Sequence, residues 1–255
     1  MANNESWAKI FRDYDILSHN FDESPFELSA QNIKRSCQDF TEVNQKEVRV
    51  LCKQDTRSGR PQIFIEKDLF LLPIKNGNYI IVKGEGYVDI PPITTEIKEY
   101  NSRLDFNLDT AGIGNSEMQH LDFAYASSLI RTFMNDESLV LTIRGRKYTP
   151  AFDFKVGNQK IKTKSVQTEV DGGYEGRDKI VLIEAKNSST DNTIIRQLFY
   201  PYKQWKLHTQ KDVFLLFFEK RIDVFNIWQY GFTDESDYNS IQLIKSDRYK
   251  IIGHN

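Results

Sequence analysis

The feature that most constrains this chain is an apolar segment that turns polar within one step. Four consecutive apolar residues, 180–183, are followed directly by Glu184, Ala185 and Lys186. A short apolar run bounded by polar residues is typical of a strand buried on both faces. Because side chains alternate along a strand, Glu184 and Lys186 leave the same face. The segment therefore predicts a carboxylate and an ammonium group side by side at the edge of a sheet.

A second pair of acids precedes this strand. Glu169 and Asp171 are two residues apart in the preceding strand-like segment, so they also share a face. The connection 172–178 is short enough for a hairpin, which would make the two strands neighbours. One of the two acids would then lie opposite Glu184 or one diagonal step away. Gly172-Gly173 can add a bulge, so the sequence leaves the choice between Glu169 and Asp171 open.

Two carboxylates and a lysine at one sheet edge are suited to the hydrolysis of phosphodiesters. Carboxylate oxygens are hard ligands that hold magnesium, which keeps several waters and can touch a phosphate. Such an ion lowers the pKa of a bound water and neutralises charge on the phosphoryl oxygens. A neighbouring lysine orients the attacking water and stabilises the transition state. The pattern therefore indicates a metal-dependent reaction on an anionic ester.

These residues resemble the motif of the PD-(D/E)xK nuclease superfamily, particularly of type II restriction endonucleases. The match is Asp171, then twelve residues, then Glu184-Ala185-Lys186. The stretch QTEVDGGYEGRDKIVLIEAKN, followed by DNTIIRQLFYPYKQW, is similar to such enzymes as a block, and the resemblance covers roughly residues 115–220. The family's proline before its first acid is absent, since Val170 stands there, and this leaves Glu169 as a rival first acid.

The resemblance implies a role for each residue of the motif. Asp171 and Glu184 would bind Mg²⁺ together with the backbone carbonyl of Ala185, and Lys186 would serve the nucleophilic water. Two further acids, Glu169 and Glu117, are candidate metal ligands. Some relatives carry a glutamine on the helix after the lysine, and Gln197 resembles it as a group supporting the ligands, although its spacing differs.

The activity implied is site-specific double-strand cleavage of DNA by a type II restriction endonuclease. Two-fold symmetric sites are read by symmetric proteins, so a homodimer is expected. A DNA methyltransferase acting on the same site, without a stable complex, would be the other component of such a system. Two alternatives stay open: a structure-specific repair or recombination nuclease on the same fold, and a non-catalytic DNA-binding regulator.

The expected fold is α/β, with a mixed central sheet flanked by helices in the order helix, three strands, helix, strand. Residues 1–100 are expected to form an N-terminal α+β accessory lobe and residues 101–255 the catalytic domain. The boundary is expected near 91–100, where Pro91-Pro92 ends a strand-rich region. Helices are expected at 7–14, after Ser29, at 116–134 and from Asp191. Strands are expected at 48–52, 63–65, 69–74, 79–82, 139–148, 166–171, 179–186, 213–218, 222–228 and 241–245.

Charge is uneven along a chain whose formal net charge is only −2. From Arg144 to Thr168 there are seven basic residues and one acid, Asp153. Basic stretches of this kind suit the DNA backbone, and the candidate DNA contacts are Arg144, Arg146, Lys147, Lys160, Lys162 and Lys164. The same stretch contains a rival motif, Asp153-Phe154-Lys155, which lacks the apolar run that precedes Glu184.

The sequence gives no expectation of a membrane protein. No apolar run approaches the roughly 20 residues that a spanning helix needs. The N-terminal residues contain no apolar signal-peptide core. The two cysteines, Cys37 and Cys52, are too few for a secreted disulfide scaffold and lack zinc-ligand spacing. A cytoplasmic protein with free thiols is expected.

Overall fold

The computed structural model describes residues 3–111, 113–187 and 189–253. The α-helices of these residues are α1 (Asn4–Asp13), α2 (Ala30–Ser36), α3 (Val43–Lys46), α4 (Val48–Leu51), α5 (Gln62–Glu66), α6 (Glu117–Ala126), α7 (Leu129–Met134) and α8 (Arg196–Lys206). The strands are β1 (Phe26–Ser29), β2 (Leu69–Lys75), β3 (Asn78–Lys83), β4 (Tyr87–Asp89), β5 (Lys98–Asn101), β6 (Val140–Ile143), β7 (Lys147–Tyr148), β8 (Phe152–Val156), β9 (Gln159–Thr163), β10 (Gln167–Thr168), β11 (Gly172–Glu175), β12 (Lys179–Lys186), β13 (Asn192–Ile194), β14 (Asp212–Arg221), β15 (Val224–Phe232) and β16 (Ile241–Ile252). Short 3₁₀ turns occur at Ile16–Ser18 and Tyr238–Ser240.

The largest sheet of the described residues has seven strands in the order β5-β16-β15-β14-β12-β11-β6. Strand β12 lies near its centre, antiparallel to β11 and parallel to β14. All of its residues from Ile180 to Ala185 are buried, as the apolar run predicts. A parallel neighbour on one side and an antiparallel one on the other make the sheet mixed.

Helices cover both faces of this sheet. On one face Val181 and Ile183 pack in the same apolar cluster as Leu121 of α6 and Leu129 of α7. On the other face, Ile180 and Leu182 pack in a cluster with side chains of α8. The alternation along β12 thus fills two cores at once. The chain is a mixed α/β protein, as expected.

The N-terminal lobe is built on a three-stranded sheet in the order β1-β3-β2. Its β2–β3 hairpin turns at Asn76-Gly77, as predicted, and Ser29 caps α2 by accepting from the Asn32 N–H at 3.1 Å. One face of the hairpin packs on α1 and α5, and the other packs against α8 and the β8–β9 hairpin. The lobe therefore shares a core with the helix that follows β12.

Two of the strand predictions in the lobe are wrong. Residues 48–52 and 63–65 belong mostly to the short helices α4 and α5. In α5 Phe64 is fully buried and meets the ring of Trp7 edge-on, with centroids 4.8 Å apart. Short apolar runs do not distinguish strand from helix by their period, and here packing on α1 decides for helix.

Several longer predictions divide into two elements. The helix expected at 116–134 breaks at Ser128, which is left-handed with φ 65°. The strand expected at 139–148 is interrupted at Gly145, with φ 73°, and forms β6 and β7 instead. Of the strand expected at 166–171, only β10 is present. The helix expected from Asp191 starts only at Arg196, because residues 192–194 pair with β4 as β13.

The remaining expectations agree with the structure in type. The strands expected at 213–218, 222–228 and 241–245 correspond to β14, β15 and the long β16. No helix of the described residues has both the length and the apolar character to cross a membrane.

Candidate active site

The hairpin of β11 and β12 fixes which acid faces Glu184. Gly172 pairs with Ile183, and the Asp171 N–H donates to the Ile183 carbonyl at 3.1 Å. Asp171 comes just before the first paired residue of β11 and lies beside the end of β12, where Glu184 and Ala185 stand. The turn between the strands is the one that the sequence predicts, near 175–178.

At the end of the β11–β12 ladder, a side chain accepts the hydrogen bond of a backbone N–H: the acceptor is Asp171. Its Oδ2 accepts a hydrogen bond of 2.7 Å from the N–H of Ala185. Burial raises the pKa of Asp171, while the hydrogen bond from Ala185 and the charge of Lys186 oppose that rise. The N–H and C=O of one residue in a strand leave on the same side, so the carbonyl of Ala185 is directed toward the β11 side of β12.

Two glycines follow Asp171 because β11 passes very close to its neighbours. A Cβ on Gly173 would lie 2.5 Å from the Cβ of Ile143 in β6, and one on Gly172 would lie 2.8 Å from a methyl carbon of Leu121. The pairing of β11 with β6 is irregular between Gly173 and Tyr174. The irregularity that Gly172-Gly173 can produce thus occurs in the pairing with β6, whereas Gly172 to Glu175 pair with β12 in one register.

Glu184 is the most deeply buried acid of the site, with only 7% of its surface exposed. Its Oε1 accepts from the Lys186 ammonium and, at 2.6 Å, from Nε2 of Gln197. Burial raises its pKa to about 7, against the opposing charge of Lys186, and the charge of Asp171 adds to the rise. A carboxyl with this pKa exchanges its proton near neutral pH.

Lys186 lies on the same face of β12 as Glu184, as predicted. Burial acts to lower its pKa, but the charge of Glu184 and the hydrogen bond to it outweigh burial, and the pKa is raised. Asp171 and Glu117 add to this field. Lys186 therefore carries its positive charge at neutral pH and is in contact with Glu184.

Gln197, the second residue of α8, lies at the site. Its Oε1 accepts from the Thr193 hydroxyl at 2.7 Å, which directs its amide nitrogen toward Glu184. Gln197 is thus in direct contact with Glu184, the residue that it is expected to support. The spacing along the chain is unlike the usual one because β13 intervenes between β12 and α8.

The other two candidate acids lie at the margin. Glu117, in the first turn of α6, accepts from the Asn187 N–H at 3.3 Å, just beyond the end of β12. Glu169 is exposed and forms an ion pair with Arg146 at 3.1 Å. Of the two rival first acids, Asp171 is therefore the one bonded to β12.

The basic stretch is divided between different parts of the fold. Arg144 pairs with Asp122 of α6, and Arg146 pairs with Glu169. Four lysines form no ion pair among the described residues: Lys147, Lys160, Lys162 and Lys164. Lys160 and Lys162 lie on the exposed face of the β8–β9 hairpin.

The rival motif lies on that same exposed face. Asp153 stands opposite Lys162, and Lys155 pairs with Asp234 and Asp237 at 3.4 Å each. Strands β8 and β9 form a separate two-stranded ladder outside the large sheet.

Sequence reasoning missed the part that the N-terminal lobe plays beside the site. Asp55 contributes to the raised pKa of Glu184 and lies 3.6 Å from the guanidinium of Arg196. Arg196 and Gln197 both line a cavity of about 210 Å³ together with Gln167, Thr168 and Glu169. The available signal was the position of Arg196, next to Gln197 in the sequence.

The donors present suit a hard cation but are few. Among residues 3–111, 113–187 and 189–253, no group of three or more His, Cys, Asp or Glu side chains is placed to hold a metal. Asp171, Glu184 and the Ala185 carbonyl supply oxygen atoms alone, which is the chemistry of magnesium sites that retain several waters. The donor set therefore fits Mg²⁺ better than zinc, which prefers nitrogen and sulfur.

The fold and the site together define a mixed α/β protein with a buried carboxylate–lysine cluster at the C-terminal end of an interior strand, β12. The chain belongs to the family described as a domain of unknown function, DUF6997, whose model matches residues 82–250. Residues 4–81 match a second domain of unknown function, DUF6996. No curated protein and no solved structure matches the chain. The two family models meet between residues 81 and 82, within strand β3.

Proposed function

We propose that the chain is a magnesium-dependent endonuclease that hydrolyses phosphodiester bonds of duplex DNA. The observation that carries the proposal is the arrangement at the end of β12. The Asp171 carboxylate bonds to the N–H of Ala185, whose neighbours in the sequence are Glu184 and Lys186. Asp171, just before β11, thus lies beside the last three residues of β12. Together they supply two carboxylates, a backbone carbonyl and an ammonium group.

Asp171, Glu184 and the carbonyl of Ala185 would hold the ion. Magnesium supplies a coordinated water of lowered pKa and neutralises charge on the phosphoryl oxygens. Lys186 would donate hydrogen bonds to the attacking water and to a phosphoryl oxygen, where charge develops. Gln197 donates to the Glu184 carboxylate and is itself held by Thr193, so it would keep this metal ligand in place.

The order of elements also supports a core like that of PD-(D/E)xK nucleases. Of the strands in the large sheet, β6, β11 and β12 follow helices α6 and α7, and α8 and β14 come next; the intervening strands β7 to β10 and β13 belong to other sheets. In the sheet these strands are consecutive, in the order β14-β12-β11-β6. This order of the large-sheet strands supports our proposal of the helix, three strands, helix, strand core that the resemblance implies, with the acids at one end of β12.

Site-specific cutting by a homodimer, in partnership with a methyltransferase that protects the same site, is the form of this activity that we propose. The candidate DNA contacts in the basic stretch are Arg144, Arg146, Lys147, Lys160, Lys162 and Lys164. Among them, the lysines without an ion pair have charges available for phosphates.

A plasmid digest in magnesium, with sequencing of the fragment ends, tests the proposal. Discrete fragments with 5′-phosphate ends at a recurring sequence are expected. Nicking that depends on supercoiling, branches or mismatches would instead indicate a structure-specific repair or recombination nuclease. Binding without any cleavage, in magnesium and in manganese, would overturn the enzymatic proposal and leave a DNA-binding regulator.

A further inference from the structure

A basic groove runs between the N-terminal lobe and α8. It has a volume of about 350 Å³, and its charged lining residues are Arg49, Lys53, Lys75 and Arg196. The first three come from the lobe, and the fourth is the first residue of α8. None of the other residues that line it is acidic. In a chain whose formal net charge is −2, this is a local concentration of positive charge.

Two of these four charges are unneutralised. Arg49 and Lys75 are exposed and form no ion pair within the part of the chain that the structure describes. Lys53 and Arg196 share one acid, Asp55, at 3.6 Å each. Several cations around one acid repel one another in the free protein, and a polyanion in the groove would relieve that repulsion.

The groove leads to the candidate active site. Gln167 and Arg196 line both the groove and the 210 Å³ cavity. That cavity also contains Gln197, which donates to Glu184. A linear ligand in the groove would therefore continue past Arg196 to the carboxylates of the site.

Hydrogen bonds fix the wall of the groove to the catalytic elements. The Tyr200 hydroxyl of α8 donates to the Pro73 carbonyl at 2.9 Å, and the Ile194 N–H donates to the Asp55 carbonyl at 2.9 Å. The Asn76 N–H donates to the Ser165 carbonyl at 3.2 Å, just before Gln167. The lobe thus holds its cations in a defined position relative to Glu184.

We propose that this groove binds the phosphate backbone of the DNA that the active site cuts, so that residues 4–81 form the substrate-positioning part of the enzyme. Arg and Lys side chains around a linear groove are the usual contacts of the sugar-phosphate backbone, and they set its register without reading sequence. The assignment rests on the proposed function and names the N-terminal lobe as the surface that delivers the strand to it.

The test compares two double variants by DNA binding. Arg49→Ala/Lys75→Ala removes the two unpaired charges of the groove. Arg12→Ala/Lys67→Ala is the matched control, because both residues are exposed and lie outside the groove. Binding of a labelled duplex of mixed sequence is measured in calcium over a series of salt concentrations, with unlabelled duplex and polyglutamate of equal charge as competitors. Matching thermal unfolding curves establish that both variants fold.

The groove variant is expected to bind roughly tenfold more weakly or worse at ~0.1 M salt. The slope of log affinity against log salt should fall by about two units, one for each lost phosphate contact. The control variant should keep the wild-type affinity and slope. Equal behaviour of the two variants overturns the proposal, and so do the absence of duplex binding by the wild-type protein and competition by polyglutamate as strong as by DNA.

Cleavage assays separate this proposal from the one on which it rests. If the wild-type protein binds DNA through the groove but never cuts it in magnesium, the groove assignment holds and the hydrolytic function fails. If the wild-type protein cuts DNA and the groove variant cuts and binds equally well, the hydrolytic function holds and the groove assignment fails.

Discussion

The N–H of Ala185 donates a 2.7 Å hydrogen bond to the carboxylate of Asp171. This bond replaces a backbone contact at the end of the β11–β12 ladder, so Asp171 has a structural partner as well as a proposed ligand role. An Asn at position 171 keeps an oxygen that accepts from Ala185, but it loses the negative charge. The substitution therefore distinguishes the charge of Asp171 from its place in the fold.

The first prediction identifies the first acid of the motif. Asp171→Asn should lower the rate of DNA cleavage roughly a hundredfold or more, because a neutral amide coordinates a cation poorly. Glu169→Gln should change the rate little, since Glu169 is exposed and paired with Arg146. Single-turnover cleavage by both variants measures the difference. Near-normal cutting by Asp171→Asn would contradict the assignment and make Asp153 with Lys155 the next pair to test.

The second prediction concerns the metal. Cleavage should require magnesium, with manganese as a substitute, and should stop in EDTA. The reason is that no other group of the proposed site generates a nucleophilic water. Fragment yield is followed while the divalent ion is removed and then restored. Undiminished cutting in EDTA would exclude the two-carboxylate mechanism.

The third prediction separates chemistry from binding. Lys186→Ala should slow cleavage by roughly 10²–10³-fold, since its charge acts mainly in the transition state. Glu184→Ala removes a proposed metal ligand. It should therefore abolish cleavage and weaken calcium-supported DNA binding. Binding isotherms in calcium should show the lysine variant closer to the wild-type protein. A lysine variant that cuts normally would show that Lys186 only partners Glu184.

The strand with the candidate site could be predicted from sequence because its signals are local. The apolar run of β12, the alternation that places Glu184 and Lys186 on one face, and the short hairpin all act within about twenty residues. The register that selects Asp171 over Glu169 was not predictable. It depends on the conformation of the residues just before β11, where the side chain of Asp171 accepts from the Ala185 N–H beyond the end of the paired ladder.

The contribution of the N-terminal lobe could not be predicted for a related reason. Asp55 and Arg196 are far apart in the sequence and meet where the Ile194 N–H donates to the Asp55 carbonyl. The helices α4 and α5 contain apolar runs too short to show a period, so their type depends on the surface against which they pack. Basic residues of the lobe are also scattered, and no charge run marks Arg49, Lys53 and Lys75 as one groove.

The fourth prediction follows from the raised pKa of Glu184 and concerns stability in the absence of metal. Burial raises this pKa from 4.5 to about 7. Between these two values the folded protein holds a proton that the unfolded chain has released. The free energy of unfolding must then fall as the pH rises through this window, by about 1.4 kcal/mol for each pH unit.

Glu184→Gln removes this titration while keeping the size of the side chain and an oxygen that accepts hydrogen bonds. In the wild-type protein the charge of Glu184 and the hydrogen bond to it raise the pKa of Lys186, so Lys186 stays charged there, and Asp171 is present in both proteins. The variant should therefore match the wild-type protein near pH 5 and be more stable by roughly 3 kcal/mol near pH 8. Denaturant unfolding in EDTA at the two pH values measures the change. A difference that is independent of pH, or that grows toward acid, would mean that Glu184 is already ionised in the folded protein at pH 5, held so by Lys186.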